Sequence, residues 1–483
     1  MVYRLPRLRG IDWQADIHLF TYHGLHLLLD VNSGALHILD DVAAEVLREL
    51  REVRELAEGV QGSGYSPELP QATGRWGKAL VAEVLEELAR CQEEGSLFTQ
   101  DVAAGWYRPP EPLLQGLCLH VSHDCNMRCR YCFAGGGSFG GKKSLMPLSI
   151  GKAAIDFLFA ASGPRKRVEV DFFGGEPLLN FPVVRELIFY GRSKAKDLGK
   201  EIRFTLTTNG LSLDKEIGDF LNREGISVIL SLDGRPETND RYRRTHQGGG
   251  TYYRVLPRIK DFLERRGYRD YWVRGTYTRD NLDFTNDVIH LVDLGFRYIS
   301  LEPVVASPNY PYSLRLEDIS VIREEYSRLA SFYFEARSRG QPFEFFHFNL
   351  ELNGGPCLTK RLHGCGAGVS YLAVSPEGEL YPCHQLVGQE HFRLGHVETG
   401  ITREELREEF RQAYVYNKPR CLRCWARFYC SGGCHAAALA STGSLTEPDP
   451  VACAIQKARL EAALYILARS RINFLPQAGS KAY

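Results

Sequence analysis

Cys125-Asn126-Met127-Arg128-Cys129-Arg130-Tyr131-Cys132 places three thiols within eight residues, separated by three residues and then by two. Three thiolates so spaced can wrap one corner of a [4Fe–4S] cubane and ligate three of its four irons. The fourth iron is left without a protein ligand, and an open metal position is where chemistry can occur. The bland alternatives are a zinc knuckle or a chance triplet in a chain with 13 cysteines. The surroundings of the triplet therefore have to decide.

From Gly116 to about Val304 strand-like and helix-like runs alternate. The extended runs fall at 117–122, 168–173, 202–207, 227–232, 271–278 and 298–302. Helical runs lie between them, near 149–160, 181–197, 213–223, 252–265 and 284–294. Six such units predict an α/β fold: a parallel, partly closed (β/α)6 barrel with right-handed crossovers and its helices outside. Such a barrel builds its site at the carboxyl ends of the strands. The cysteine loop follows the first strand and Gly174-Gly175-Glu176-Pro177 the second. Thr207-Thr208-Asn209-Gly210, Ser231-Leu232-Asp233-Gly234, Arg274-Gly275-Thr276-Tyr277-Thr278 and Glu302-Pro303 end the remaining four. Each motif alone is also an ordinary turn former. Together, at one end of six strands and with the thiol triplet among them, they read as a site.

With Phe133 after the triplet, this stretch resembles the radical S-adenosylmethionine (SAM) enzymes. The resemblance implies that SAM chelates the open iron through its methionine amine and carboxylate. An electron from the cluster then splits SAM to a 5′-deoxyadenosyl radical, which abstracts a hydrogen atom from the substrate. It further implies that Gly174, Gly175 and Glu176 hold the amine, that backbone at Tyr131 and Phe133 meets the adenine, and that Ser231 and Arg243 bind ribose and carboxylate. Arg241 and Arg244 flank Arg243 in the same run. No catalytic residue is assigned beyond the cluster and the SAM site.

After a helical bridge near 316–338, cysteines return at 357, 365, 383, 421, 424, 430, 434 and 453. Cys365, twelve residues, Gly378, four residues and Cys383 precede a ladder from Cys421 to Cys434 spaced by two, five and three residues. Thiolate ladders of this kind suit zinc ribbons as well as iron–sulfur clusters. The full pattern resembles the SPASM domain, which implies two auxiliary [4Fe–4S] clusters and so three in all. By that resemblance Cys357, Cys365, Cys383 and Cys434 would hold cluster I, and Cys421, Cys424, Cys430 and Cys453 cluster II. Cys357 stands outside the core pattern; without it cluster I keeps an open iron that a substrate thiolate could occupy. Cys91 and Cys118 fall outside both sets and read as buried and inert.

The N-terminal hundred residues read as three strands, Ile17 to Phe20, Leu25 to Val31 and Ala35 to Leu39, broken at His23-Gly24 and Asn32-Ser33-Gly34. Asp40 or Asp41 can cap a following helix. A polar stretch at 59–76 leads to a second helix near 78–92, and Leu97-Phe98-Thr99 reads as a short returning strand. A three-stranded sheet with a few helices is a winged-helix-like module whose edge can accept an extended peptide, or else a structural cap. The run Leu29-Asp30-Val31-Asn32-Ser33-Gly34-Ala35-Leu36-His37 is similar to the leader-recognition domain of the maturases of cysteine-rich SCIFF peptides.

Length and composition set the remaining bounds. At 483 residues the chain has room for about three domains. The expected segments are a recognition module at 1–103, the barrel at 104–310, a helical bridge at 311–348, the SPASM region at 349–455 and a C-terminal helix and tail at 456–483. Lys plus Arg equals Asp plus Glu, 59 each, which advertises neither nucleic acid nor anionic lipid. No long apolar run or signal segment occurs, so a cytoplasmic protein without a membrane partner is expected. The resemblance implies a thioether-forming SCIFF maturase that binds a cysteine-rich precursor peptide through its leader and takes electrons from a donor such as flavodoxin or ferredoxin. The alternatives are an anaerobic sulfatase-maturing enzyme, which makes formylglycine, or another SPASM peptide-modifying enzyme, and a non-catalytic iron–sulfur scaffold that binds peptide.

Overall fold

The computed structural model describes residues 6, 8, 10–57, 69–352 and 357–474. Its first unit is an antiparallel meander of β1 (Ile17–Tyr22), β2 (Leu25–Asp30) and β3 (Leu36–Leu39). His23 and Gly24, both at positive φ, make the two-residue turn between β1 and β2. Helices α1 (Asp41–Ala57), α2 (Pro70–Trp76) and α3 (Lys78–Glu93) follow. The Asp40 carboxylate caps α1 by accepting from Ala43 N at 2.8 Å. The part of the polar stretch at 59–68 lies outside the described residues. Leu97-Phe98-Thr99 is not a strand. Phe98 sits at φ +53°, which breaks the extended path, and Thr99 donates its N–H and hydroxyl to buried Asp30 instead of to a ladder.

The barrel strands are β4 (Gly116–Ser122), β5 (Arg167–Gly174), β6 (Glu201–Thr208), β7 (Ser227–Ser231), β8 (Tyr271–Tyr277) and β9 (Tyr298–Pro303), all parallel and in sequence order. Between them run α4 (Leu148–Ala161), α5 (Phe181–Asp197), α6 (Lys215–Arg223), α7 (Pro236–Tyr242), α8 (Tyr252–Arg266) and α9 (Phe284–Asp293). Local signals set these helices: Pro182 sits in the first turn of α5, Asp214 caps α6 by accepting from Ile217 N, and Gly267 ends α8 at φ +65°. Every residue of β4 is buried, as befits a central strand covered on both faces.

Helix α10 (Ile319–Ser338) leads to the short β10 (Glu344–Phe345), which adds beside β9, and to α11 (Leu358–His363). The chain then returns to the other side of the barrel. There β11 (Tyr371–Val374) pairs parallel with β4, and β12 (Glu379–Tyr381), β13 (Gly395–His396) and β14 (Gly400–Ile401) extend the sheet antiparallel. Among the described residues the barrel strands and these short strands thus form one continuous sheet of 11 strands. Short helices α12 (Glu404–Gln412), α13 (Pro419–Leu422), α14 (Arg427–Cys430) and α15 (His435–Thr442) carry the cysteine ladder. The last helix, α16 (Pro450–Phe474), starts six residues before the expected 456 and so includes Cys453. Cys118 is buried, whereas Cys91 is only partly so, packed on the rim of the N-terminal core.

The meander is covered on both faces. Leu28 points into the module's own core with Val46 and Leu85, while Leu27 and Leu29 join the main core that includes Leu464 and Tyr465 of α16. Only the edges β1 and β3 lack a strand neighbour on their outer sides among the described residues.

Candidate active site

At the carboxyl ends of the strands lies a cavity of about 220 Å³. It gathers most of the expected site: Cys125, Cys129, Cys132, Tyr131, Phe133, Gly174, Gly175, Ser231 and Arg243 all line it. The cysteine loop is tied to the Gly-Gly-Glu turn by Gly175 N donating to Ser122 O at 2.8 Å and Glu176 N donating to Asp124 O at 2.9 Å. The approach is so close that a Cβ on Gly174 or Gly175 would run into the carbonyl oxygens of Ser122 and Asp124.

Glu176 does not line the cavity. It is fully buried, and its carboxylate accepts from Thr208 Oγ1 at 2.7 Å, Asn209 N at 2.8 Å and Leu178 N at 3.1 Å. Burial pushes its carboxyl up, and these donors pull it back. The side chain expected at the amine thus braces the second strand's turn against the end of the third. Arg243 is buried at the wall, donating to the Tyr131 hydroxyl at 3.0 Å; that hydroxyl donates in turn to Asp233 at 2.7 Å. Burial lifts Asp233 to about 6 against the opposing charge of Arg243. Asp233 and Asn209 lie in the strand-end motifs, but only the folded contacts give them partners: Asn209 Nδ2 reaches Asn126 Oδ1 at 2.8 Å.

Three further groups come to the cavity from distant segments. Arg274 and Glu302 stand at its inner end, where it meets a second cavity of about 660 Å³ inside the barrel. Glu302 is hydrogen-bonded to His347 at 3.0 Å and to Ser300 at 2.6 Å. Burial alone would raise its carboxyl, yet His347, Arg274 and Ser300 hold it well below the usual carboxylate range. His384 enters from the C-terminal region against Phe133 and Phe173, and burial lowers it to about 4, so it is neutral near pH 7. On the outer side the cavity opens into a groove of about 1030 Å³ that shares Tyr131, Cys132, Phe133 and Gln385 with it and runs on to Leu439 and Leu445.

The remaining cysteines fall into neighbourhoods. Cys383 is pushed up by burial and then by the charges of Cys365 and Cys434. Cys421 is pushed up to about 12 by burial and by Cys430, Cys453 and Cys424. Cys453, raised to about 11, feels Cys430 and Cys424 in turn. Cys365, Cys383 and Cys434 thus neighbour one another, as do Cys421, Cys424, Cys430 and Cys453, and Cys357 stands apart. That thiol is exposed and lies in the neighbourhood of Tyr107.

These donors fit iron–sulfur chemistry. Cys125 and Cys129 are raised by burial to about 12 and about 11, so they need a cation to ionise. Among the described residues no three Cys, His, Asp or Glu side chains converge as ligands of one metal ion; a cubane offers each thiolate its own iron.

Residues 119–279 match the model of the Radical SAM superfamily. The barrel is a radical SAM domain. The chain is 22% identical to the radical SAM cyclopropyl synthase TigE of Paramaledivibacter caminithermalis, over 71% of this chain and 72% of that one. It is 23% identical to a cysteine-type anaerobic sulfatase-maturating enzyme of Clostridium novyi, over 66% and 87%. The fold is similar to that of anSMEcpe with bound AdoMet, at a TM-score of 0.63 and 22% identity over 76% of this chain and 97% of that chain. It is also similar to Streptococcus suis SuiB bound to precursor peptide SuiA, at 0.51 and 15% identity over 90% and 98%. The protein is therefore an enzyme with a radical SAM domain, similar to a radical SAM cyclopropyl synthase and to the anaerobic sulfatase-maturating enzymes. No helix among the described residues is long and apolar enough to cross a membrane.

Proposed function

We propose that this radical SAM enzyme forms intramolecular cysteine thioether cross-links in a ribosomally made, cysteine-rich precursor peptide of the SCIFF type. The observation that carries the reading is the N-terminal module. Its strand edge is suited to an added peptide strand, and the module is docked on the cysteine-rich region through buried Arg427. The groove beside Gln385 and Leu439 offers a path for the rest of the peptide into the radical cavity.

In this reading Gly174 and Gly175 hold the amine of SAM while Glu176 keeps their turn in place. Tyr131 and Phe133 meet the adenine, Ser231 the ribose and Arg243 the carboxylate. Cys125, Cys129 and Cys132 hold one [4Fe–4S] cluster. Cys365, Cys383 and Cys434 hold auxiliary cluster I, with Cys357 or a substrate thiolate as fourth ligand. Cys421, Cys424, Cys430 and Cys453 hold cluster II. When bound, SAM and its cluster supply the radical that takes a hydrogen from carbon, and the auxiliary clusters supply a one-electron sink. Joining carbon to sulfur then loses one hydrogen atom, one thiol proton and one electron, so no protein base is required at position 384. An electron donor such as ferredoxin or flavodoxin completes the system.

A second reading, formylglycine formation, is favoured by the likeness to the sulfatase-maturating enzyme. Against it, the residue after Cys383 is His384, where that family's pattern has an aspartate base, and the N-terminal module is additional. The test is mass spectrometry of a cysteine-rich peptide encoded beside this gene, after incubation with SAM and reductant. A thioether lowers the mass by two hydrogens and the thiol count by one per cross-link, and neither returns on reduction. A peptide aldehyde that reacts with hydrazine would establish the second reading instead.

A further inference from the structure

Lys418 is among the largest fully buried side chains, at 1% exposure. It precedes α13, where its carbonyl accepts from Cys421 N at 2.9 Å. Its ammonium donates to Gly432 O at 2.9 Å. Gly432 lies in the link from Cys430 to Cys434, which joins a ligand of one auxiliary set to a ligand of the other. The fit is tight: a Cβ on Gly432 would stand 3.3 Å from Lys418 Nζ.

An ammonium carries three donors, and one buried without a counter-charge is strongly disfavoured. Among the described residues no carboxylate stands within ion-pair distance of Lys418 Nζ, and Gly432 O is its hydrogen-bond acceptor. The groups around it that become anionic as cluster ligands are the thiols of Cys421, Cys430 and Cys453 from one set and Cys434 from the other. Other cations lie nearby, but Arg420 is paired with Glu447 at 2.9 Å, and Arg459 and Lys457 bear on Cys430 and Cys453 of the second set.

We propose that the Lys418 ammonium is the shared counter-ion of the two auxiliary clusters and holds their reduction potentials up. It rests on the reading of those seven cysteines as two iron–sulfur sites. Reduction adds a negative charge to a cluster, and a fixed cation in a low-dielectric surrounding favours the reduced form. Lys418 is thus a positioning residue for charge: it keeps the acceptors able to take the electron left by carbon–sulfur bond formation.

The experiment is an EPR-monitored redox titration of the anaerobically reconstituted full chain beside Lys418→Met, Lys418→Gln and Lys418→Arg. Iron and sulfide are counted first; a wild type without auxiliary iron overturns the cluster reading and this proposal with it. With auxiliary iron present, the neutral variants should show about a tenfold lower ratio of reduced to oxidised auxiliary cluster at fixed potential, about 59 mV for a one-electron couple. The signal of the cluster on Cys125, Cys129 and Cys132 should not shift, and Lys418→Arg should restore the auxiliary values. Unshifted auxiliary potentials, or an equal shift in all three clusters, overturn the counter-ion role alone. Neutral variants that lose auxiliary iron while Lys418→Arg keeps it support the role; loss of that iron in all three variants assigns Lys418 to packing and overturns it.

Discussion

Glu176 accepts three hydrogen bonds with two oxygens, and its donors come from its own turn and from the end of β6. Glu176→Gln turns one acceptor into a donor that faces donors. The variant should lose about 1–3 kcal/mol of stability in chemical denaturation, the cost of leaving a buried N–H or O–H unmatched. SAM binding should weaken with it, because the Gly174–Gly175 turn loses its brace. A variant as stable as the wild type would show that the carboxylate is not a brace. Asp171 on β5 tests a second buried carboxylate. It accepts from the Tyr371 hydroxyl of β11 at 3.1 Å, and burial, aided by Glu169, raises it to about 6 against the hydroxyls of Tyr371 and Thr205. A raised carboxylate binds its proton more tightly folded than unfolded. Its contribution to stability is present below pH 4 and is lost as pH rises through about 6. Asp171→Asn should remove that slope, so the variant gains on the wild type by up to about 2 kcal/mol between pH 4 and 7. Parallel pH–stability curves would refute the assignment.

At the scale of elements, the contact that matters most joins the meander to the cysteine ladder. Arg427 on α14, between Cys424 and Cys430, is 4% exposed and donates to Asp16 Oδ1 at 2.9 Å, Asn32 Oδ1 at 2.7 Å and the Ala15 carbonyl. Beside it, His18 of β1 stacks on Trp425 with ring centroids 3.7 Å apart, a contact of about 0.5–1.5 kcal/mol. Asp16→Ala attacks this clamp from the module side and leaves the ladder untouched. It strands a buried guanidinium, at a cost of about 3–5 kcal/mol. Hydrogen exchange in residues 17–39 should accelerate, SAM cleavage should persist, and modification of a full-length precursor should fall steeply. Unchanged precursor modification alongside faster exchange would reduce the module to a structural cap.

For the whole molecule, the proposed three cubanes predict about twelve irons after anaerobic reconstitution. Replacing Cys125, Cys129 and Cys132 together by Ala should remove about four of them and abolish deoxyadenosine formation, while the auxiliary signals remain. Zinc in place of iron at the C-terminal cysteines, measured by elemental analysis, would sink the auxiliary clusters. Persistent deoxyadenosine formation would move the radical site elsewhere. The molecule has the layout for such a division of labour. The cavity sits at the strand ends of the barrel, and β11 pairs with β4 so that the segment after β12 brings His384 and Gln385 to it. The module lies against α16 and is tied to the cysteine ladder by Arg427.

The sequence by itself determined what repeats locally or carries its chemistry in spacing. The six strands and five of the six helices from Gly116 to Pro303 are legible within a few residues, because hydrophobic periodicity and turn residues act over short range; the short α7 carries too little periodicity to be read. The thiol triplet, the ladder and the Gly-Gly-Glu turn are legible because a cluster or a tight turn constrains neighbours along the chain. Only the tertiary structure decided that Phe98 leaves the extended path to let Thr99 reach Asp30, and that Cys453 rides on the first turn of α16. Pairing of β11 with β4, the donors that hold Glu176, the Arg427 clamp and the burial of Lys418 beside both cysteine sets were decided there too. Each of these joins segments far apart in the chain, or depends on which side chain is left without water. No local pattern encodes that, because burial and long-range pairing are properties of the packed whole.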